Sequence, residues 1–210
     1  MKKLTYVTGN YGKYVSVKDY FEEKQIKVEF LKHDFAEPEI NDIEKISKAK
    51  VLEAYSLLQT PCFVADTGFY IDNYPNNPNY PGAFVKRSGI SSDIDNLLEV
   101  MKNETNRNCK FVDCLTFYDG NDFYTFYGIS HGSLSYSKKG NANKKAKSNL
   151  WYVFIPDNCK KTLAEMTDKE RKNRNDNHTS ATEQFANWYK EIYQKDKKKV
   201  LSKKIKKGDF

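Results

Sequence analysis

The stretch "LTYVTGNYGK", residues 4–13, decides how this chain is read: an apolar run stops at Gly9-Asn10, and Lys13 follows three positions after the asparagine. Residues 3–8, KLTYVT, fit a short strand, and residues 13–24, KYVSVKDYFEEK, fit an amphipathic helix whose apolar face includes Val17, Tyr20 and Phe21. A strand that enters a helix through a glycine turn leaves free amide groups and the positive end of a helix dipole facing one small volume. Gly9 lets the backbone come close, Asn10 offers an amide and Lys13 adds a point charge, so the turn suits a polyphosphate. It is not a Walker loop, which needs a longer glycine loop ending in Gly-Lys-Ser/Thr. Taken alone, a plain strand-to-helix turn is the simpler reading.

Outward from this stretch, "IKVEFL" (26–31) alternates as a strand. "DIEKISKAKVLEAYSLL" (42–58) places Ile43, Ile46, Ala49 or Lys50, and Ala54 at helical spacing before Pro61, and "CFVAD" (62–66) reads as a short buried strand. Strand, helix, strand, helix, strand predicts an α/β sheet covered by helices. Beyond it, residues 73–84 form a turn-rich loop, and 91–102 a helix capped by Ser91 or Ser92. Residues 109–135 make two or three aromatic strands with Asp119-Gly120 as a hairpin signal. Residues 179–195 read as a helix with Phe185, Trp188, Ile192 and Tyr189 on one side.

The net charge of +7 is misleading until it is located, because eight lysines face two aspartates between Lys195 and Phe210. The body is therefore nearly neutral, and the basic balance belongs to a tail rather than to a nucleic-acid-binding surface. The division expected is one domain over 1–194 and a lysine-rich C-terminal extension over 195–210. A second lysine cluster, 138–147, carries Gly and Asn and reads as an exposed loop. Cys62, Cys109, Cys114 and Cys159 form no CxxC pair, which predicts buried reduced thiols. No stretch approaches the roughly 20 apolar residues of a membrane span, and no signal peptide is legible, so the expected location is cytoplasmic.

Two further stretches carry oxygen donors. In "VADTGFYID" (64–72), Asp66 sits just past the end of the predicted strand and is followed by Thr67-Gly68. A carboxylate there can hold Mg²⁺ or take a proton from water, or it can simply cap a turn. In "HDFAEPE" (33–39), Glu37 and Glu39 are oxygen donors or solvated loop acids.

The order of these pieces is more specific than any one of them. Thr8-Gly9-Asn10 with Lys13, Asp34 to Glu37, Ile46-Ser47 with Lys50 and Glu53-Ala54, Asp66-Thr67-Gly68, Pro81-Gly82 with Lys86, Phe126-Tyr127-Gly128, residues 154–166 and Asn177-His178 together resemble the inosine triphosphate pyrophosphatase family. The match runs from about residue 3 to about residue 190. The resemblance implies a two-lobed α/β fold around a long mixed sheet, a nucleotide cleft between the lobes, and commonly a homodimer. It implies Mg²⁺-dependent hydrolysis of a non-canonical purine nucleoside triphosphate, of inosine, deoxyinosine or xanthosine, to monophosphate and pyrophosphate. Carried over, Thr8, Gly9, Asn10 and Lys13 would grip phosphates, with Thr67 and Gly68 beside them. Glu37 and Asp66 would bind the metal, Asp66 would activate water, and Lys50, Lys86 and Lys172 would place cations near the triphosphate.

The departures from the family pattern are concentrated at the base end. Ala65 replaces the first of two acids before Thr67-Gly68. In "SNLWYVF" (148–154), Ser148 stands where a stacking Phe is expected and Trp151 where a base-reading Asp is expected, though Trp151 can itself stack on a base. Asn177-His178-Thr179 replaces the closing Ser-His-Arg. Two expectations follow: an active pyrophosphatase with altered base specificity, or a catalytically impaired sensor, for example of dITP, that signals to a partner protein as in an anti-phage system.

Overall fold

The computed structural model describes residues 4–36, 38–141, 146, 148–174, 180–193 and 195. The first third alternates as expected: β1 (Leu4–Val7), α1 (Tyr11–Glu23), β2 (Val28–Leu31), α2 (Ile43–Leu58) and β3 (Cys62–Ile71). β1 pairs parallel to both β2 and β3, so α1 and α2 are the helical crossovers that parallel pairing requires. Asp42 starts α2 by accepting the amides of Glu44 and Lys45. The remaining strands are β4 (Tyr80–Gly82), β5 (Asn108–Tyr118), β6 (Phe123–Leu134) and β7 (Phe154–Pro156), and the remaining helices are α3 (Ile94–Val100), α4 (Asp168–Lys172) and α5 (Ala181–Trp188). All seven strands share one mixed sheet in the order β2-β1-β3-β5-β6-β7, with β4 attached to β3.

Several boundaries differ from the sequence reading, each for a local reason. β3 does not stop at Asp66: β5 offers pairing positions from Cys62↔Tyr118 to Ile71↔Cys109, so the backbone of Asp66-Thr67-Gly68 lies in a ladder, not in a turn. Asp66 is thus a mid-strand residue. The cap of α3 is Asp93, whose carboxylate accepts the Asn96 amide, rather than Ser91 or Ser92. The aromatic segment makes two strands, and Asp119 closes their turn by accepting the amides of Asn121 and Asp122. α5 starts after the Ser180 cap, and beyond Trp188 the chain widens into a π turn over Tyr189–Tyr193. That widening turns Ile192 outward, 52% exposed, and packs Tyr189 and Tyr193 in its place. Residues 175–179, and of the lysine-rich extension all but Lys195, lie outside the described residues.

Side-chain alternation along β3 explains the two lobes. Val64 faces α2, in a core with Val7, Val51, Ala54 and Cys62. Phe63 and its cross-strand neighbour Phe117 face the other way, into a core with Val17 and Phe21 of α1 and Phe185 of α5. Further along that same face, Phe69 and Ile71 enter a separate core with Leu97, Met101, Leu134, Leu150 and Phe154. Between these two cores the sheet presents Thr67 opposite Asp113, a polar row that neither core covers.

All four cysteines are reduced, and Cys62, Cys109 and Cys114 are buried while Cys159 is half-buried. Burial pushes the Cys62 thiol up to about 12 and that of Cys114 up to about 11. Raised folded-state values mean that the unfolded chain loses these protons first, so stability is complete below the ordinary thiol range and falls as pH rises from there toward the folded values. At neutral pH the folded protein is expected to react rapidly at Cys159 alone, against all four thiols after denaturation; a thiol-labelling time course measures this.

Candidate active site

The turn after β1 is built by its own side chains. The Thr8 hydroxyl accepts the Asn10 amide at 3.1 Å, and the Asn10 side chain caps α1 by accepting the Lys13 amide at 3.1 Å. Both side chains use only an oxygen acceptor in the turn, so it does not consume their donor hydrogens, and beside them lie the first-turn amides of Tyr11 and Gly12, which have no intrahelical acceptor. Gly9 has a specific reason: a Cβ there would lie 1.9 Å from Asp34 Oδ1 and 3.3 Å from the His33 carbonyl oxygen. Its absence lets the end of β2 close against the turn. Gly9→Ala is expected to displace Asp34 and to weaken triphosphate binding about tenfold, a cost in the range of overpacking, measurable as a rise in Kd.

These residues face a cleft of about 370 Å³ whose walls include Thr8, Gly9, Asn10, Lys13, Lys50, Asp66, Thr67 and Lys86, together with Asp34 and Pro38. Lys50, near the middle of α2, places its Nζ 2.5 Å from Asp66 Oδ1, an ion pair whose side chains are only 13% and 16% exposed. The other carboxylate oxygen of Asp66, Oδ2, is buried and makes no hydrogen bond among the described residues. Lys13 Nζ donates to the Ala65 carbonyl at 3.4 Å, so its charge sits on the β3 edge of the cleft. Lys86 arrives through the β4 loop, where Gly82 has φ 66°, a left-handed value that favours glycine, and where a Cβ would also lie 2.4 Å from Asn41 Oδ1. Asn41 accepts the Ala83 amide at 2.7 Å and pins that loop. Gly68 serves the same closure, since a Cβ there would meet the Tyr70 ring at 2.7 Å and the Gly82 carbonyl at 3.1 Å.

A second cavity of about 430 Å³ lies on the face of the sheet between the two cores, and Lys13, Ala65 and Thr67 line both. Its walls include Tyr6, Asp113, Ser130, Trp151, Arg174 and Thr182. The Thr67 hydroxyl donates to Asp113 Oδ1 at 2.7 Å. Burial first, and then the negative charges of Asp66 and Asp113, hold the Tyr6 hydroxyl protonated well above its usual range. Trp151 sits in a short 3₁₀ turn capped by Ser148, whose side chain accepts the Leu150 amide, and the Arg171 guanidinium lies 5.3 Å from the Trp151 ring centre. Ser148 is thus a turn cap.

Of the residues named from sequence, Thr8, Gly9, Asn10, Lys13, Lys50, Asp66, Thr67 and Lys86 meet at one cleft and Trp151 lines the adjoining cavity. Gly68 acts from behind the wall. Lys172 ends α4, exposed, and lines neither cavity. Glu37, Asn177 and His178 lie outside the described residues. Sequence reasoning missed Asp113 and Arg174. For Asp113 a signal existed, an acid between Phe111 and Leu115 in a strand whose neighbours two positions away point into the interior; for Arg174, inside the polar run 168–177, none did.

Fold and site together define a class: mixed α/β proteins with one sheet running through two lobes and a cleft of acids and lysines where the lobes meet. The chain belongs to the Ham1 family, whose model matches residues 4–188. It is 31% identical over 194 residues to a dITP/XTP pyrophosphatase of Saccharolobus solfataricus, covering 92% of this chain and 97% of that one. It is 32% identical over 171 residues to inosine triphosphate pyrophosphatase 2 of Trypanosoma cruzi, covering 80% and 83% respectively. The fold matches the structure of a HAM1 protein from Coxiella burnetii with a TM-score of 0.76 at 16% identity, over 91% of this chain and all of that one. Among the described residues no helix is long and apolar enough to cross a membrane.

Proposed function

We infer that this chain hydrolyses a purine nucleoside triphosphate, of the dITP or XTP kind on which its relatives are named to act, to the monophosphate and pyrophosphate. The observation that carries the reading is the convergence of Lys13, Lys50 and Lys86 with Asp66 on one cleft, beside the open end of α1. Three lysines and two free helix-terminal amides neutralise and orient a polyphosphate chain. Asp66, with one oxygen on Lys50 and the other buried without a hydrogen bond among the described residues, would accept a proton from an attacking water. Water adds at the α-phosphorus as the bond from that phosphorus to the bridging oxygen breaks, the water's proton goes to Asp66, and the leaving pyrophosphate keeps the bridging oxygen and its charge among the lysines.

Among the described residues no three His, Cys, Asp or Glu side chains group to hold a metal by themselves. Asp34 and Asp66 do line the same cleft, and Mg²⁺ is characteristically held by one or two carboxylates plus substrate phosphates, so the residues fit it. Asp66, with Asp34 and Glu37, would hold the ion. When bound it supplies further neutralisation of the phosphate charge.

The test is incubation with dITP, ITP, XTP and ATP, with and without Mg²⁺, measuring bound nucleotide and released pyrophosphate together. Mg²⁺-dependent pyrophosphate release is expected; binding without release would leave the reading wrong. Lys13→Ala is expected to lower kcat/KM by about 10- to 100-fold, the worth of one charge-assisted hydrogen bond, mostly through KM. No observation favours the alternative of a sensor without turnover.

A further inference from the structure

Two irregular stretches reach the phosphate cleft, one between β2 and α2 and the other between β4 and α3. Asp34, Phe35 and Pro38 line the cleft from the first, and Phe84, Val85 and Lys86 from the second. Neither stretch is strand or helix, so no backbone ladder sets the distance between them. Two side-chain bridges cross instead. Asn41 Oδ1 accepts the Ala83 amide at 2.7 Å, and Arg87 Nη2 donates to Glu39 Oε1 at 2.7 Å. Phe84, Val85 and Lys86 are the residues spanned between the two bridges. The Arg87 guanidinium also lies 5.7 Å from the Phe84 ring centre, which keeps its fork over its own loop. Glu39, an oxygen donor by sequence, does not line the cleft; its side chain is 81% exposed and turned to Arg87.

We propose that Glu39 and Arg87 are positioning residues, whose ion pair clasps the two stretches together and holds Lys86 where the triphosphate chain meets it. The inference rests on the nucleotide reading above. An exposed pair adds little to global stability, but a loop with little regular structure responds to it locally. Opening the clasp weakens binding rather than chemistry, because Asp66 and Lys50 stand on β3 and α2, outside both stretches. For Glu39 the clasp and the general field predict opposite signs. Removing an acid near a polyanion site strengthens binding through the field, whereas removing half of a clasp weakens it.

The experiment measures kcat, KM and Kd for dITP with Mg²⁺, and the thermal midpoint, on the wild-type protein and four variants. These are Glu39→Ala, Arg87→Ala, the two combined, and the exchanged pair Glu39→Arg with Arg87→Glu. Each single variant is expected to raise KM and Kd about two- to fivefold, with kcat and the midpoint level. The combined variant is expected to be no weaker than the worse single one, and the exchanged pair to return to within about twofold of the wild type. A Glu39→Ala protein that binds dITP as tightly as the wild type or more tightly overturns the proposal. An exchanged pair as weak as the single variants does so too, as does a joint fall of kcat and midpoint, which marks a merely structural role. In each of these cases pyrophosphate release by the wild type leaves the pyrophosphatase reading intact. No binding and no hydrolysis of any triphosphate by the wild type overturns both.

Discussion

Asp66→Asn is expected to lower kcat for pyrophosphate release about a thousandfold, the middle of the range attributed to a positioned acid or base. Asparagine keeps the size and the Oδ1 acceptor that faces Lys50 Nζ at 2.5 Å, but it cannot take a proton from water. It also removes a negative charge from the cleft, so Kd for the triphosphate measured without Mg²⁺ is expected to stay level or to fall. That split, kcat down and Kd not up, distinguishes a catalytic carboxylate from one that merely shapes the site, because a misshapen cleft would raise both. Some stability is expected to go as well, since Lys50 is only 13% exposed and would be left beside a neutral partner. Single-turnover kinetics with an equilibrium binding measurement on the same samples reads all of this.

Phe185→Ala carries the largest expected effect on stability, about 3–5 kcal/mol, the usual cost of emptying a buried phenylalanine site. Phe185 is fully buried, and its ring centre lies 5.7 Å from Phe21, 5.0 Å from Phe63, 5.4 Å from Phe117 and 5.5 Å from Phe126. Those partners sit on α1, β3, β5 and β6, so one side chain ties α5 to both the first helix and the middle of the sheet. The aromatic rings cannot collapse far into the space because each is held by its own strand or helix. The consequence reaches the second cavity, where Ala181 and Thr182 at the start of α5 form part of the wall. Denaturant unfolding is expected to show the loss of stability.

The parts legible in the sequence are those carried by contiguous residues. Val17, Tyr20 and Phe21 share one helical face, and Thr8 to Lys13 is a single turn whose consequences need no other segment. What could not be read was pairing. Thr67-Gly68 reads as punctuation in a linear string, yet β5 supplies a partner for every residue through Ile71, and the strand continues past both. Asp66 therefore reaches the cleft by side-chain alternation from mid-strand and not by standing at a strand's end. Asp113 is brought to Thr67 by a register between residues 46 positions apart, which no local pattern encodes. The loss of an acid at Ala65 looked like a deficit in the motif; on the same face of the sheet, two residues along and one strand over, Asp113 supplies a carboxylate.

The central claim is that water cleaves a triphosphate in the cleft where Asp66 meets the lysines. Hydrolysis of dITP with Mg²⁺ in heavy-oxygen water, by the wild-type protein and Asp66→Asn side by side, tests it most directly. The account predicts one solvent oxygen incorporated for each pyrophosphate released by the wild type, and about a thousandfold less of both from a variant that still binds dITP. Equal rates from the two proteins, or products that carry no solvent oxygen, would contradict it.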